Sequence, residues 1–219
     1  MTAALRRTRS AISLTECRST KETGGYLMSV TQPIRNISEI EKLKNYYYLE
    51  KPNLRNYALI CLGINSALRI SDLLELNWQD VYDFTKKHFL KHIMLKERKT
   101  GKQTRIALNQ NAQKALQLYK SGLQQINPTD YLFPGRNRAN HLSRSQAFRL
   151  IKTAGQELNF ETDISCHSLR KTFGYHAWKS GAQPAVLMNI YNHSSFQTTK
   201  RYLGIEQDDR DQIFLDVNL

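Results

Sequence analysis

From position 67 onward the chain carries an ordered set of short signals: Arg69 in Ala-Leu-Arg-Ile-Ser-Asp, Lys99 in Lys-Thr-Gly-Lys, His167-Ser-Leu-Arg170, His193 and Tyr202. Two guanidinium groups, an ammonium and two imidazoles can hold a phosphodiester and move protons around it, and a phenol can attack it. Breaking such a bond with a side chain needs a nucleophile at phosphorus, positive donors on the non-bridging oxygens and an acid for the leaving 5′ oxygen. Arg69 and Arg170 suit the second role, because a guanidinium is always charged and its planar fork matches phosphate oxygens. His167 and Arg170 stand one helical turn apart on a shared face. They follow Thr162-Asp-Ile-Ser-Cys, which reads as a loop entering a helix N-terminus, where backbone N–H groups favour an anion. Histidine titrates close enough to neutrality to donate to phosphate or exchange a proton with the nucleophile.

The remaining candidates depend more on context. Lys99 sits at the tip of an expected hairpin, within reach of a leaving oxygen, and Lys96 and Lys102 are rivals for the same role. Tyr202 is one of 11 tyrosines and is singled out by its place in His193-Ser-Ser-Phe-Gln-Thr-Thr-Lys-Arg-Tyr-Leu. A phenol with a pKa of about 10 needs neighbouring cations to attack at neutral pH. Asp72, one turn after Arg69, either pairs with that arginine or simply complements a helix N-terminus. Taken singly, each signal also has an ordinary reading: a surface ion pair for either arginine, a solvated turn for Lys99, a capping residue for His193.

Elements that could position these groups can be read along the chain. Residues 1–32 are polar, interrupted by Gly24-Gly25 and without an apolar period, and are expected to be poorly structured. Pro33 marks the entry to one folded domain, 33–219. Ser38 and Glu41 form a candidate capping box for a first helix. A second helix spans about 53–65, and Ser71 is placed to cap a short third one. His92-Ile-Met-Leu-Lys and Gln103-Thr-Arg-Ile-Ala-Leu flank Lys99-Thr-Gly-Lys102 as a β-hairpin, with its buried face around Met94 and Ile106. Helical signals return at 111–120, 143–158, 167–180 and 184–191, with Gly181 as a stop and Pro184 as a first-turn residue. A further helix from Thr198 would carry Tyr202. The fold class is mainly α with a small antiparallel β-sheet.

Composition narrows the partners. Of 219 residues, 32 are Lys or Arg against 19 acids, a net charge of +13 that calls for a polyanion, either nucleic acid or an anionic membrane surface. No apolar run reaches the ~20 residues of a membrane span. The three cysteines, Cys17, Cys61 and Cys166, are scattered without metal spacing, in keeping with unpaired thiols in a reducing cytosol. The N-terminus has basic residues but no sustained apolar core, so it does not read as a secretory signal. Its lack of acids leaves a transit peptide as a remote alternative.

Together, Ala67-Leu-Arg-Ile-Ser-Asp-Leu-Leu-Glu-Leu, Lys99-Thr-Gly-Lys, His167-Ser-Leu-Arg-Lys-Thr-Phe and His193-Ser-Ser…Thr198-Thr-Lys-Arg-Tyr202-Leu resemble the catalytic domain of the tyrosine recombinases, the phage-integrase family. The likeness runs from about Pro33 to the C-terminus and is carried by the set in order rather than by any one motif. It implies strand exchange with no metal or other cofactor. The residue matching Tyr202 attacks the scissile phosphate and forms a 3′-phosphotyrosyl bond. Those matching Arg69 and Arg170 bind the phosphate, and the one matching Lys99 protonates the departing 5′ hydroxyl. Those matching His167 and His193 assist proton transfer, and Asp72 matches a supporting acid.

The implied partners are double-stranded DNA, further copies of the chain in a tetramer, and a possible accessory DNA-bending protein, in a bacterial cytoplasm in association with the nucleoid. Gln212-Ile-Phe-Leu-Asp-Val could dock on a neighbouring copy or pack on its own core. Two departures from the family pattern stand out. Tyr191-Asn192 replaces the common Leu-Gly, and Asn tolerates the left-handed backbone that Gly would supply. The N-terminal DNA-binding domain that most members carry has no counterpart in the sequence, which leaves a minimal recombinase and a fragment as alternatives. A DNA-binding regulatory or accessory protein, derived from a recombinase but catalytically impaired, is the competing function.

Overall fold

The computed structural model describes residues 31–96 and 103–217. Expectations for residues 1–30, for Lys99 and Lys102 and for the hairpin tip therefore fall outside the described residues, as does the side chain of Lys96. The order is α1 (Ile37–Asn45), α2 (Leu54–Ser66), α3 (Ile70–Leu74), β1 (Tyr82–Asp83), β2 (His88–Phe89), β3 (His92–Lys96), β4 (Gln103–Ala107), α4 (Gln110–Ser121), α5 (Arg144–Glu157), α6 (Cys166–Lys179), α7 (Pro184–Tyr191), α8 (Phe196–Leu203) and α9 (Ile205–Asp216). The chain is thus mainly helical, with two separate two-stranded antiparallel ladders, β1–β2 and β3–β4, among the described residues. None of the described helices is long and apolar enough to cross a membrane.

The helix ends follow capping chemistry, with two corrections to the sequence reading. Asn36, not Ser38, caps α1: its side-chain oxygen accepts the Ser38 N–H at 2.9 Å and also the Ser38 hydroxyl. At α3 the cap position belongs to Arg69, whose backbone is extended (φ −67°, ψ 146°). Ser71 lies inside the first turn and donates to Asp72 at 3.3 Å. Elsewhere Asn53, Asn109, Ser143, Ser165 and Ser195 each accept a backbone N–H at the start of a helix. Pro184 occupies the first turn of α7, and Gly181 takes up the left-handed turn (φ 85°) after α6. α1 runs into a wide turn, Tyr46–Glu50, that buries Tyr46 and Tyr47.

Helix α2 is the hub. Ala58, Leu59, Ile60, Cys61 and Leu62 are buried in succession, so apolar contact surrounds it on all sides. It packs against α4 and α6. The β3–β4 hairpin pairs Ile93 with Ile106 and Met94 with Arg105. Ile93 is fully buried while Met94 is 60% exposed, so on β3 the inward residue is Ile93 rather than the expected Met94, while Ile106 on β4 packs on the core as expected. A separate apolar cluster of Ala67, Tyr175, Leu187, Tyr191, Leu203 and Ile205 underlies the C-terminal helices. Full burial of Leu187 and of Leu203 stabilises the fold by about 1.5–3 kcal/mol each.

An extended strap, residues 31–35, ties this cluster to the front of the chain. The Ile34 N–H donates to Thr172 Oγ1 at 2.9 Å, and the Ile34 carbonyl meets His176 Nε2 at 3.0 Å. Arg35 donates to Asp208 and to the Gly204 carbonyl, both at 3.0 Å, and so reaches the end of α8 and the start of α9.

Candidate active site

Helix α2 stops at Ala67, whose left-handed backbone (φ 54°, ψ 16°) turns the chain sharply before α3. Two residues later Arg69 projects beside Asp72, with Nη1 and Oδ2 3.9 Å apart. Asp72 thus stands beside Arg69 and also lies in the first turn of α3. Arg170 comes from α6, a turn beyond the Ser165 cap. It is 7% exposed, and burial draws its pKa below the usual arginine value. A buried guanidinium needs partners. The Ala67 carbonyl accepts from Nη1, and the Tyr191 ring lies beneath the guanidinium at 4.8 Å. The Tyr191 hydroxyl in turn donates to the Arg170 carbonyl at 2.8 Å.

Tyr202 meets this group from α8. Burial raises its phenol above the ordinary tyrosine value. Arg170, which hydrogen-bonds to the phenol, and Arg69 both pull it back down. The ring packs at 5.3 Å against Tyr191 and edge-on at 5.3 Å against His193. The sequence-derived nucleophile candidate is therefore brought to both arginines and to one histidine.

His193 is aimed by the turn between α7 and α8. Asn192 takes the left-handed conformation (φ 56°, ψ 48°) that its replacement of Gly requires. The Thr199 hydroxyl, fully buried, lies 3.4 Å from the Ser195 carbonyl and 3.1 Å from His193 Nδ1, and so ties the imidazole to the first turn of α8. Desolvation, then Arg170 and Arg69, lower the His193 pKa. His167 opens α6, its own N–H capped by Ser165 Oγ at 3.2 Å. Although its side is exposed to solvent, partial desolvation followed by Lys171 and Arg170 lowers its pKa as well. Both rings are thus biased toward the neutral form at pH 7.

A cavity of about 530 Å³ borders the two arginines. Arg69, Asp72 and Arg170 line one part of it; Leu95, Thr104 and Ile106, from the two strands of the hairpin, line another. The strands that lead to Lys99 thus face the same space as the guanidinium groups. Cys166 behaves as a packed residue, since burial pushes its thiol up to about 11, far from a reactive thiolate.

Three contributors escaped the sequence reading. Tyr191, noted there only as a departure from pattern, forms the floor under Arg170. Thr199 orients His193. Lys171, buried to 2% exposure, lies 5.2 Å from the Tyr202 ring centroid. A lysine directly after Arg170 reads in sequence as one more solvated cation, and no periodicity marks it as inward-facing.

Residues 36–208 match the phage integrase family model. A probable integrase/recombinase of Bacillus subtilis, YoeC, is 37% identical over 83% of this chain and 93% of its own length. Among solved structures, the XerA recombinase superposes with a TM-score of 0.66 at 22% identity, over 86% of this chain and 67% of that one. The Tn1549 transposon integrase in complex with a circular intermediate DNA superposes with a TM-score of 0.60 at 21% identity, over 78% of this chain and 60% of that one. At these identities the two structures speak to the fold.

Proposed function

This chain belongs to the phage integrase family, with the fold of a tyrosine recombinase catalytic domain, and we propose that it is an active site-specific recombinase that cuts and rejoins DNA through a 3′-phosphotyrosyl intermediate. The observation that carries this reading is the convergence of Tyr202, Arg170 and Arg69, which arrive from three separate helix ends. A half-buried phenol kept protonated by its surroundings, yet bonded to a guanidinium, is poised for attack. Bringing a phosphodiester between the arginines places phosphorus next to the group that must attack it.

In the proposed reaction Tyr202 Oη bonds to phosphorus as the P–O5′ bond breaks. Arg69 and Arg170 hold the non-bridging oxygens, with Asp72 steadying Arg69. The phenolic proton passes to a neutral histidine; His193, whose ring packs against the phenol at 5.3 Å, is the candidate, and His167 supports the phosphate. Lys99 protonates the leaving 5′ oxygen. Religation reverses these steps with the 5′ hydroxyl of another strand, and the phosphotyrosyl bond conserves the energy of the original linkage.

The partner in this reading is duplex DNA, in keeping with the net charge of +13. The working assembly is a tetramer, assisted by a DNA-bending protein, in the bacterial cytoplasm at the nucleoid. Ile213, Phe214 and Leu215 on α9 are 62%, 81% and 76% exposed, which supports docking of this segment on a neighbouring copy rather than on its own core. Segment 1–32 precedes the catalytic domain, 33–219, in this organisation.

A nicked suicide duplex tests the proposal. The wild-type chain is expected to form a denaturant-resistant protein–DNA adduct, and Tyr202→Phe none. A wild type that binds DNA without trapping it would leave the regulatory reading. An adduct persisting in Tyr202→Phe would refute the choice of nucleophile.

A further inference from the structure

Lys171 sits one residue beyond Arg170 in α6 with 2% of its surface exposed. Its ammonium donates to the Thr31 carbonyl of the strap at 2.6 Å and lies 5.2 Å from the centre of the Tyr202 ring. Lysines are almost never buried this deeply unless paired. Arg35 faces it from the strap, itself paired with Asp208 of α9, and His167 faces it from its own helix. Its partners include the Thr31 carbonyl and the face of one aromatic ring, from α8. That ring belongs to the residue expected to acquire negative charge in the reaction, while Arg170, Arg69 and His193 face the same phenol.

We propose that Lys171 is a positioning residue for the nucleophile: its ammonium beneath the Tyr202 ring fixes the ring's orientation and favours the phenolate that develops as Tyr202 attacks phosphorus. The inference rests on the functional reading above. An ammonium within about 6 Å of a desolvated aromatic face is attracted by the ring quadrupole, and the attraction grows as the phenol ionises. Lys171 keeps its proton throughout; the bond that forms is Tyr202 Oη–P, the bond that breaks is P–O5′, and the phenolic proton leaves by the histidine route. The contact with Thr31 adds a second consequence, because it makes the chain entering the domain part of the support for the nucleophile. Burial, then Arg35, bring the Lys171 pKa down to about 8. The ammonium is therefore present at neutral pH and is lost as the pH rises through that value.

Single-turnover cleavage of the nicked duplex, measured at saturating protein, distinguishes this role from simple packing. Lys171→Met keeps the buried stem and removes the charge; it is expected to cleave about tenfold more slowly at pH 7 with unchanged DNA affinity. Lys171→Arg is expected to restore the rate to within about twofold and, because an arginine does not deprotonate, to hold that rate between pH 8 and 9.5, where the wild type declines. Wild-type cleavage by Lys171→Met, or an arginine variant that falls away with pH as the wild type does, would overturn the proposal. The comparison of wild type with Lys171→Arg decides the matter even if Lys171→Met does not fold.

A readout without DNA separates this inference from the functional reading. In protein labelled at tyrosine 13Cζ, the Tyr202 resonance is identified by its loss in Tyr202→Phe. Its titration midpoint is expected about one pH unit lower in Lys171→Arg than in wild type or Lys171→Met, because the native lysine has already lost its proton where the phenol titrates. Equal midpoints would refute the coupling. Shifted midpoints in a protein that never cleaves DNA would leave the coupling standing and sink the recombinase reading instead.

Discussion

Replacing Gly174 with alanine should damage catalysis at least as much as stability. Gly174 lies one turn after Arg170 in α6, against the two residues that support the site. A Cβ there would stand 2.4 Å from the Tyr191 hydroxyl, 2.5 Å from a Leu203 methyl and 2.9 Å from Tyr191 Cε2. The Leu203 methyl can rotate away. Tyr191 cannot, because its ring is held under Arg170 and its hydroxyl is bonded to the Arg170 carbonyl. Ordinary contact begins near 3.4 Å, so the hydroxyl has to retreat by about 1 Å. Overpacking of this kind costs about 1–3 kcal/mol. Exchanging a helical glycine for alanine returns about 0.5–1 kcal/mol. The net loss of about 0–2.5 kcal/mol corresponds to a Tm drop of about 10 °C at most. The same displacement, passed to Arg170 and to Tyr202 through Leu203, is of the size that costs about 100-fold in rate. Thermal unfolding and single-turnover cleavage of the nicked duplex, measured on the same preparation, test both halves. A variant that cleaves at the wild-type rate would refute the argument that Tyr191 sets the position of the site; one that fails to fold would refute the energetic balance.

Two further outcomes follow from the histidines. His167 and His193 are held below the ordinary histidine pKa, so the unfolded chain binds more protons than the folded one once the pH drops below about 6.5. Stability in urea should therefore fall on acidification from pH 7 to pH 5, and His193→Gln should flatten part of that slope; an identical slope in the variant would contradict the assignment. Thr199→Val keeps the shape of a buried side chain but removes the partner of His193 Nδ1, so cleavage should fall about tenfold or more as the ring loses its fixed orientation, with DNA binding retained. Unchanged cleavage would show that the bond to Thr199 does not orient the imidazole.

Much of the helical framework could be read from local chemistry. Asn53, Ser143, Pro184 and Gly181 stand where capping, first-turn and stop residues act, and the helices around them fall where those residues put them. Ser38 and Ser71 misled because a competing neighbour took the cap position: Asn36 captures the Ser38 N–H, and the turn after Ala67 starts α3 before Ser71 is reached. In the hairpin, Met94 and Ile93 are equally apolar, and only the cross-strand pairing of Ile93 with Ile106 decides which faces inward. The site divides along the same line. Arg69, Arg170, His193 and Tyr202, which the structure brings together, could be picked out as candidates because their chemistry is rare in combination. Tyr191, Thr199 and Lys171 could not, because their roles arise from contacts between helices and their residue types have commoner uses. Lys99 and Lys102, proposed with Lys96 as candidates for the leaving-group acid, lie outside the described residues, and the strands β3 and β4 that flank them in sequence border the cavity of Arg69 and Arg170.

The sharpest bends around the site are left-handed, and each borders a residue that the reaction would use. Asn192 precedes His193 directly, Gly204 follows Tyr202 by two residues, and Ala67 precedes Arg69 by two. For Gly204 this conformation costs little, and asparagine tolerates it through its short polar side chain. Alanine has neither advantage, and a left-handed alanine is unfavourable by about 1–2 kcal/mol. Ala67 persists there because it is buried at 4% exposure in the cluster with Tyr191 and Leu203, and because Arg170 bonds to its carbonyl. The second arginine of the site therefore holds in place the backbone turn that aims the first. Arg69 and Arg170 form one unit for this reason, and a substitution at either should disturb the geometry of both, so their effects on cleavage are not expected to add.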